Sequence, residues 1–498
     1  MTASRSQLIC FFDIFALFLL AGFSCYLGYD SLRDLDLGWH LAGGLWMIEH
    51  GAVPGADFLG AEGRPWIAYS WLAELVYAVV YRVSGFAGLQ HLQFLTVFAQ
   101  FAVLYRLAAA LRESTDADGV AARITALLLV VTAIPLLAPL SFLRPQILSV
   151  IFLAIALRMM LADRSFAWLF LLTAAWANVH VFWIFAPLTF AVLNVGRISG
   201  PTYAVRIAFL TLAGLVSPYG PGNMLVIAEY AFGHGAGYGL IREFFPLAPD
   251  LGFIFWYFLA AVAVVFLLVL RRSAEPRLLL LALLCSAAAI LQRKYLPFSS
   301  VAMLVLAARS LPPLRVRLRQ SGEPRGIADL GAGALIVVLA VAAMLLFTPA
   351  PPLSPEDSEL LTHAKALKVQ GSVPAVVLSE FDDGGRLGLA LYLNREAASD
   401  SSRFKTAIDG RTLVMGSERL RDFGALRADP LARCDVIRKW RPGLAVFSKA
   451  SPILAAFKHA QIREDESTAC FREWALILES DYWSIFQHMI PDDSALQN

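Results

Sequence analysis

Residues 34–54 read DLDLGWHLAGGLWMIEHGAVP, a polar and aromatic segment that stands between long apolar stretches of the chain. After Asp36 the pattern predicts a short helix over 37–49, with this acidic residue at its head. Farther along, residues 69–84 carry Glu74 and several aromatic residues among apolar ones, which predicts a helix lying along a membrane surface. The segment 30–86 is therefore predicted to be a loop outside the membrane that contains two short helices.

The chain as a whole is too apolar for a soluble protein. Its 498 residues are 58% hydrophobic and 16% charged, with a mean hydropathy of +0.63. A helix needs about 20 apolar residues to cross a bilayer, and the sequence predicts about eleven such spans. The first is interpreted as a retained helix and not as a cleaved signal, because further apolar segments follow it. The predicted spans are 8–29, 88–111, 122–138, 146–162, 166–180, 181–196, 204–217, 253–270, 277–291, 295–309 and 327–348.

The distribution of arginine predicts the orientation of these spans. Cytoplasmic loops of membrane proteins retain positive charge, and the arginine cluster in residues 309–325 fits the cytoplasmic side. This assignment puts the N-terminus in the cytoplasm and everything after residue 348 outside, provided that 69–84 does not cross the membrane. The net charge of +2 and the absence of a basic tract predict no nucleic-acid partner.

The sequence predicts a mainly α-helical polytopic membrane protein with a small C-terminal α/β domain. Residues 1–348 are predicted to form the transmembrane domain, 349–355 a proline-rich linker, and 356–498 an extracytoplasmic domain. A disulfide between Cys434 and Cys470 stays open, because the sequence does not show whether they are close. The tail is predicted to contain strands at 374–380, 387–393, 443–447 and 472–478, and helices at 416–439 and 452–460.

The order of elements at the start of the chain resembles that of a known family. One apolar helix, an acidic D-x-D motif, a short helix ending in H-G-x-x-P and an aromatic second helix resemble the C-type membrane glycosyltransferases, the GT-C superfamily. Within it, the chain is most similar to poorly characterised bacterial multi-pass proteins. The motifs that carry this resemblance are D-x-D-x-x-W-H-L (Asp34, Asp36, Trp39, His40, Leu41), R-P-Q (Arg144 to Gln146), N-x-H (Asn178, His180), S-P-Y-G (Ser217 to Gly220), G-G (Gly384, Gly385) and D-G-R (Asp409 to Arg411).

The resemblance implies a GT-C-like transmembrane domain with interfacial helices in the first outer loop. It also implies an enzyme of the bacterial inner membrane and cell envelope that takes a sugar from a polyprenyl-phosphate carrier. The acceptor would be a lipid, glycan or protein outside the cytoplasm. The sequence departs from the mannosyltransferases of the superfamily at Trp66 to Tyr69, where their H-P-P-type start is replaced, so the donor sugar and the acceptor stay open.

Sugar transfer from a polyprenyl phosphate requires a base for the acceptor hydroxyl. Both Asp36 and Asp34 lie in the predicted outer loop, and Asp36 is the first candidate because it stands at the head of the predicted helix 37–49. The alternative is that both carboxylates only cap the helix and solubilise the loop. No cofactor is implied, and no metal ligand is assigned, since two carboxylates without further hard ligands are a weak metal signal; a requirement for a divalent cation stays open.

The departing phosphate requires cations, and three residues are candidates for binding it. Arg144, Arg293 and Lys294 fall at outer ends of predicted spans, against the inner bias of positive charge. Arginine offers a fork of donors to phosphate, and lysine a compact charge. The alternative is that they reach lipid headgroups or pair with outer carboxylates such as Glu229 and Glu243.

Two histidines are candidates for substrate binding. His40 and His180 lie beside aromatic residues at predicted outer helix ends, although a histidine satisfied by the protein itself is the common outcome. The G-G and D-G-R motifs of the tail are typical of turns, with a cover over the membrane cavity as the alternative.

These expectations define a leading hypothesis and two alternatives. The leading one is an integral membrane glycosyltransferase acting with inversion of the anomeric centre, whose partners are the lipid-linked sugar, its acceptor and membrane lipid. The alternatives are a transporter or flippase of a lipid-linked anion, and a non-catalytic envelope assembly protein. Paired halves of the kind seen in transporters are not evident in the sequence.

Overall fold

The computed structural model describes residues 5–29, 32, 34–114, 119–232, 241–270, 275–311, 351–364, 367, 375–394, 404–460 and 470–489. The predicted span 327–348 lies outside the described residues. The chain divides into two compact units. The first unit is Met1–Ser31, Phe86–Pro221 and Glu243–Pro352, and the second is Leu32–Gly85, Gly222–Arg242 and Leu353–Asn498. The predicted division into a transmembrane domain, a linker and a tail domain stays a prediction.

Helices account for most of the described chain before residue 312. Three of them are long and apolar enough to cross a membrane, namely Ser6–Gly28, Trp71–Glu113 and Gly119–Leu137. Each predicted span other than 327–348 falls on described helix, but several of these helices are shorter than a bilayer requires, so the predicted count of about eleven is not confirmed. The helices are Arg5–Gly28, Leu37–His50, Trp71–Glu113, Gly119–Leu137, Pro145–Leu161, Phe166–Ala177, Phe185–Asn194, Gly200–Leu212, Gly222–Phe232, Phe253–Leu270, Pro276–Leu291 and Leu296–Ser310.

The core of the first unit forms around the helix Leu296–Ser310. This helix packs against Gly119–Leu137, Phe253–Leu270 and Pro276–Leu291, and nearly all of its residues are buried. A helix that is buried around most of its circumference, as this one is, is typical of the centre of a helical bundle.

The helix predicted to lie on the membrane surface is followed directly by the next predicted span. The range Trp71–Glu113 contains two helices that meet at a kink at Gly85, whose φ is 61°. Glycine adopts this left-handed conformation without the steric cost that a side chain would add. The helix therefore begins close to where it was predicted, and its location on the membrane surface stays a prediction.

The second unit contains a mixed five-stranded sheet with the strand order β2-β1-β3-β5-β4. Strands β1, β2 and β3 are parallel neighbours, and β5 pairs antiparallel with both β3 and β4. Helices that pack beside it complete a small α/β fold, as predicted. The strands are β1 Ala375–Leu378, β2 Phe404–Thr406, β3 Leu444–Ser448, β4 Trp474–Glu479 and β5 Trp483–His488, and the helices are Pro355–Ala364, Gly384–Leu393, Thr412–Ala428, Arg433–Trp440 and Pro452–Ala460.

Two predictions for the tail are wrong. Residues 387–393 are not a strand but belong to the helix Gly384–Leu393, which packs against Leu37–His50 and Pro355–Ala364. The predicted helix 416–439 is two helices, Thr412–Ala428 and Arg433–Trp440, separated at Pro430. Proline disfavours helical backbone in the residue before it, which accounts for the break.

Cys434 and Cys470 form a disulfide in the second unit. The bond joins the helix Arg433–Trp440 to the segment that leads into β4. The structure thus closes the question that the sequence left open.

Candidate functional site

The acidic loop before the helix Leu37–His50 is shaped by Asp34. Only 5% of Asp34 is exposed, and its Oδ1 accepts a hydrogen bond from the backbone N–H of Asp36 at 3.0 Å. A short-range bond of this kind forms an Asx turn. One carboxylate oxygen of Asp34 is therefore used to set the direction of the chain into the helix.

Asp36 stands at the head of that helix, as predicted, but its side chain makes no capping hydrogen bond. Its Oδ1 instead accepts a hydrogen bond from Nε1 of Trp39 at 3.1 Å. The residue is half-buried. The alternative in which Asp36 serves only as a cap is therefore not supported by its contacts.

The glycine motifs of the tail pack directly on this loop. A Cβ atom on Gly410 would lie 2.6 Å from Oδ1 of Asp36, and one on Gly385 would lie 2.5 Å from the carbonyl oxygen of Leu35. A Cβ atom on Gly38 would overlap the carbonyl oxygen of Gly385. Only glycine permits such close approach of two backbones. The D-x-D, G-G and D-G-R motifs therefore meet in one place within the second unit.

We expect Gly38→Ala to disrupt this meeting point. Inside a helix alanine is favoured over glycine by about 1 kcal/mol, but the added methyl group overlaps Gly385, and overpacking of this kind costs about 1–3 kcal/mol. The thermal unfolding midpoint of the purified chain should fall. Gly55→Ala, in the segment that follows this helix, is the control, because nothing lies within 4 Å of its added Cβ. Equal midpoints for the two variants would contradict the described packing.

A buried ion network lies under the loop and was missed from the sequence. The guanidinium of Arg411 donates to Asp57 Oδ1 at 2.7 Å and to Asp409 Oδ2 at 2.6 Å, and all three side chains are at most 2% exposed. Burial acts to lower the pKa of Arg411, but the charges of Asp409 and Asp57 outweigh it and raise the pKa. The guanidinium also lies over the ring of Trp66, 4.6 Å from its centroid. The D-G-R motif is thus held by ion pairs as well as by turn geometry.

His40 has a buried partner within the second unit. Its Nδ1 lies 3.0 Å from Oε1 of Glu74, and both side chains are buried. A Cβ atom on Gly43 would lie 2.8 Å from the other carboxylate oxygen of Glu74. This contact favours a structural role for His40, and its predicted role in substrate binding stays a prediction.

In the first unit, Lys294 is surrounded by aromatic rings. It is 5% exposed, and its Nζ lies 3.8 Å from the ring centroid of Phe244 and 5.1 Å from that of Tyr295. Burial lowers the pKa of Lys294 to about 8, although the charge of Glu243 acts in the opposite direction. Lys294 is thus a desolvated cation near one carboxylate.

Arg144 shares that carboxylate. Its Nη1 donates to Oε1 of Glu243 at 2.6 Å. Arg293 has different surroundings, because its Nη2 donates to Asp250 Oδ2 at 3.2 Å. Arg144, Glu243 and Lys294 therefore form one cluster, whereas Arg293, predicted to act with Lys294, pairs elsewhere.

His180 lies in a buried hydrogen-bonded group of the first unit. Its Nδ1 is 3.0 Å from Oγ of Ser149, and that hydroxyl oxygen also accepts a hydrogen bond from Trp176 Nε1 at 2.8 Å. These contacts satisfy one side of the ring, and the predicted role in substrate binding stays a prediction. In the described part of the chain, no three His, Cys, Asp or Glu side chains lie close enough to hold a metal ion.

A cavity of about 240 Å³ lies at the far end of the helix Leu37–His50, within the second unit. Aromatic side chains of Trp46, Phe58 and Tyr392 line it, with Glu49 and Lys405 as charged members. The phenol of Tyr392 donates to Glu49 Oε2 at 2.6 Å. Nothing in the sequence pattern pointed to this cavity, because its walls come from distant segments.

No protein-family model matches this chain, and no curated protein matches its sequence. Among solved structures it is similar to the archaeal oligosaccharyltransferase AglB from Archaeoglobus fulgidus, determined in complex with an inhibitory peptide and a dolichol-phosphate. The TM-score is 0.54 at 10% sequence identity, over 92% of this chain and 72% of that one. At this identity the similarity concerns the fold alone.

Proposed function

We propose that this chain is an integral membrane glycosyltransferase that transfers a sugar from a polyprenyl-phosphate carrier to an acceptor outside the cytoplasm of a bacterial cell. The observation that carries the proposal is the packing of the D-x-D, G-G and D-G-R motifs around the half-buried carboxylate of Asp36. A fold shared with a known oligosaccharyltransferase agrees with it. The transfer proceeds with inversion, because one displacement of the phosphate by the acceptor hydroxyl reverses the anomeric centre.

In this proposal Asp36 is the base that takes the proton of the acceptor hydroxyl. Its Oδ1 is held by Trp39, so the side chain has a defined orientation. Asp34 fixes the turn that presents Asp36, and this explains why the motif contains two carboxylates.

Lys294 and Arg144 bind the phosphate that leaves with the carrier. Arg144 already donates to a carboxylate, Glu243, and the charge of Glu243 also acts on Lys294. A phosphate would compete with Glu243 for these cations, and arginine and lysine together supply a fork and a compact charge. Arg293 remains a proposed contributor, although its described partner is Asp250.

The acceptor is proposed to occupy the aromatic cavity lined by Trp46, Phe58 and Tyr392. Ligand sites typically combine aromatic walls with a few polar groups, here Glu49 and Lys405. The helix from Leu37 to His50 has 14 residues, so the cavity and Asp36 stand about 20 Å apart along it. An acceptor that uses both must be extended, such as a glycan chain.

The disulfide Cys434–Cys470 supports an extracytoplasmic location for the second unit. Disulfides persist in the bacterial periplasm and are rare in the cytosol. In the orientation predicted from the arginines, the acceptor and the C-terminal domain both lie on the outer side of the inner membrane.

The proposed role of Lys294 predicts a pH dependence. Because burial lowers its pKa to about 8, the side chain loses its proton as the pH rises through that value. Affinity for polyprenyl phosphate should then fall by up to about tenfold per pH unit above it. The measurement is equilibrium binding of polyprenyl phosphate to the purified chain across this range. Lys294→Arg keeps its charge and should show a flat profile; the same fall in both proteins would contradict the role.

A further inference from the structure

A second and larger cavity, of about 660 Å³, lies wholly within the first unit. Side chains from the helices Arg5–Gly28, Trp71–Glu113, Gly119–Leu137 and Pro145–Leu161 line it. Its residues play no part in the proposed transfer. The inference below is therefore independent of the transferase proposal.

The walls of this cavity change from apolar to charged along its length. On the helix Trp71–Glu113, the lining runs from Phe98 and Ala102 to Arg106 and Glu113 at spacings of three or four residues. Such residues share one helix face, and the stripe is about 22 Å long. Arg158 of a second helix donates to the backbone oxygen of Arg106 at 3.0 Å, so the charged positions of the two helices coincide.

The narrow side chains of the stripe keep this space open. Ala99, Ala102, Ala109 and Ala110 all line the cavity, and Ala154 faces it from the helix Pro145–Leu161. The cavity opens to the protein surface, and its apolar lining atoms lose contacts if nothing covers them. In a bilayer the available filler is a hydrocarbon chain.

The charged end has an excess of one cation among the described residues. Arg106 and Arg123 pair with Asp13 at 3.4 Å each, and Arg123 also pairs with Glu113. Arg158 has no carboxylate partner in the described segments, and its hydrogen bond goes to a carbonyl oxygen. Three arginines thus face two carboxylates. Arg123 is 9% exposed, and its Nε is the atom that lies 3.4 Å from Oδ1 of Asp13.

We propose that this cavity binds an anionic phospholipid of the surrounding bilayer. One acyl chain lies along Ala99 and Ala102, and the phosphodiester contacts Arg106 and Arg158. The phosphodiester of such a lipid carries a single negative charge, which the arginines at this end can bind. Basic pockets between membrane helices bind anionic headgroups in this way.

Native mass spectrometry of the full chain tests the proposal. The protein is extracted from vesicles that contain phosphatidylglycerol and phosphatidylethanolamine in equal amounts, and the lipid that stays bound is counted. Wild-type protein is expected to retain phosphatidylglycerol in preference. Arg106→Gln and Arg158→Gln should each reduce that retention about fivefold, since a basic residue contributes about 1 kcal/mol to binding an anionic headgroup. Both side chains are exposed, so folding is not expected to suffer.

Two further variants make the result decisive. Ala102→Phe fills the acyl path and leaves every arginine in place, so it should also lose the lipid. Arg197→Ala removes an arginine that pairs with Asp163 and does not line the cavity, and it should behave as wild type. Equal retention of the two lipids, equal retention in Arg158→Gln and Arg197→Ala, or a bound polyprenyl phosphate in place of the phospholipid would each overturn the proposal.

Discussion

Replacing Arg411 with alanine is expected to lower the stability of the second compact unit strongly. The change would leave Asp57 and Asp409 buried without the cation that each contacts within 2.7 Å. Removing one partner of a buried ion pair typically costs about 3–5 kcal/mol, and a domain has only about 5–15 kcal/mol in total. Unfolding of the full chain in denaturant, followed by tryptophan fluorescence, should show the loss, because Trp66 lies against the guanidinium.

Two variants separate this effect from a general loss of charge. Arg438→Ala breaks an exposed pair with Asp435, and such pairs contribute at most about 1 kcal/mol. Arg411→Lys keeps the charge but cannot donate along the same fork, so its stability should fall between those of wild type and the alanine variant. If Arg411→Ala were as stable as Arg438→Ala, the buried network would not hold the unit together.

Replacing Asp36 with asparagine is expected to lower the rate of sugar transfer by about 10²–10⁴-fold while the fold is kept. Asparagine has nearly the same shape and can still accept the hydrogen bond from Trp39, but it cannot take a proton from the acceptor hydroxyl. Transfer is measured with purified protein in liposomes, using a labelled polyprenyl-phosphate sugar. The unfolding midpoint of the same preparation reports on the fold.

Asp34→Asn is the matched control for this prediction. Its amide oxygen can still accept the hydrogen bond from the backbone of Asp36, so the turn is kept and activity should stay within about tenfold of wild type. If Asp34→Asn lowered sugar transfer more than Asp36→Asn did, Asp34 and not Asp36 would be the base. Unchanged transfer in Asp36→Asn would favour the flippase or assembly alternatives.

Local patterns in the sequence predicted the helices and their approximate positions. The helix 37–49 is confirmed as Leu37–His50, and the span 253–270 coincides with the helix Phe253–Leu270. Apolar length and helical spacing are properties of a few consecutive turns, so a single segment suffices to predict them. The number of spans could not be settled in this way, because short apolar helices such as Phe166–Ala177 read like membrane spans.

The error at 387–393 has a physical cause. This segment is buried on nearly all sides in the helix Gly384–Leu393, so its apolar residues form a continuous run. A short continuous run does not distinguish a buried strand from a buried helix. The segment is buried because it packs against the helices Leu37–His50 and Pro355–Ala364, and the sequence of the segment alone does not show these contacts.

Several of the contacts that build the candidate site join residues that are distant in sequence. Arg411 and Asp57 are 354 positions apart, and His40 and Glu74 are 34 apart. The motifs D-x-D, G-G and D-G-R were each visible, but turn chemistry explained the two tail motifs equally well. The close approach of Gly410 to Asp36 links the tail to this carboxylate.

The most direct test of the proposed transfer is to follow the fate of the donor with wild-type and Asp36→Asn protein in the same liposomes. Wild type should release one polyprenyl phosphate for each sugar that appears on an extended glycan acceptor, with the opposite anomeric configuration in the product, and Asp36→Asn should release almost none. Intact donor after incubation with the wild type, or equal release by the two proteins, would contradict the account.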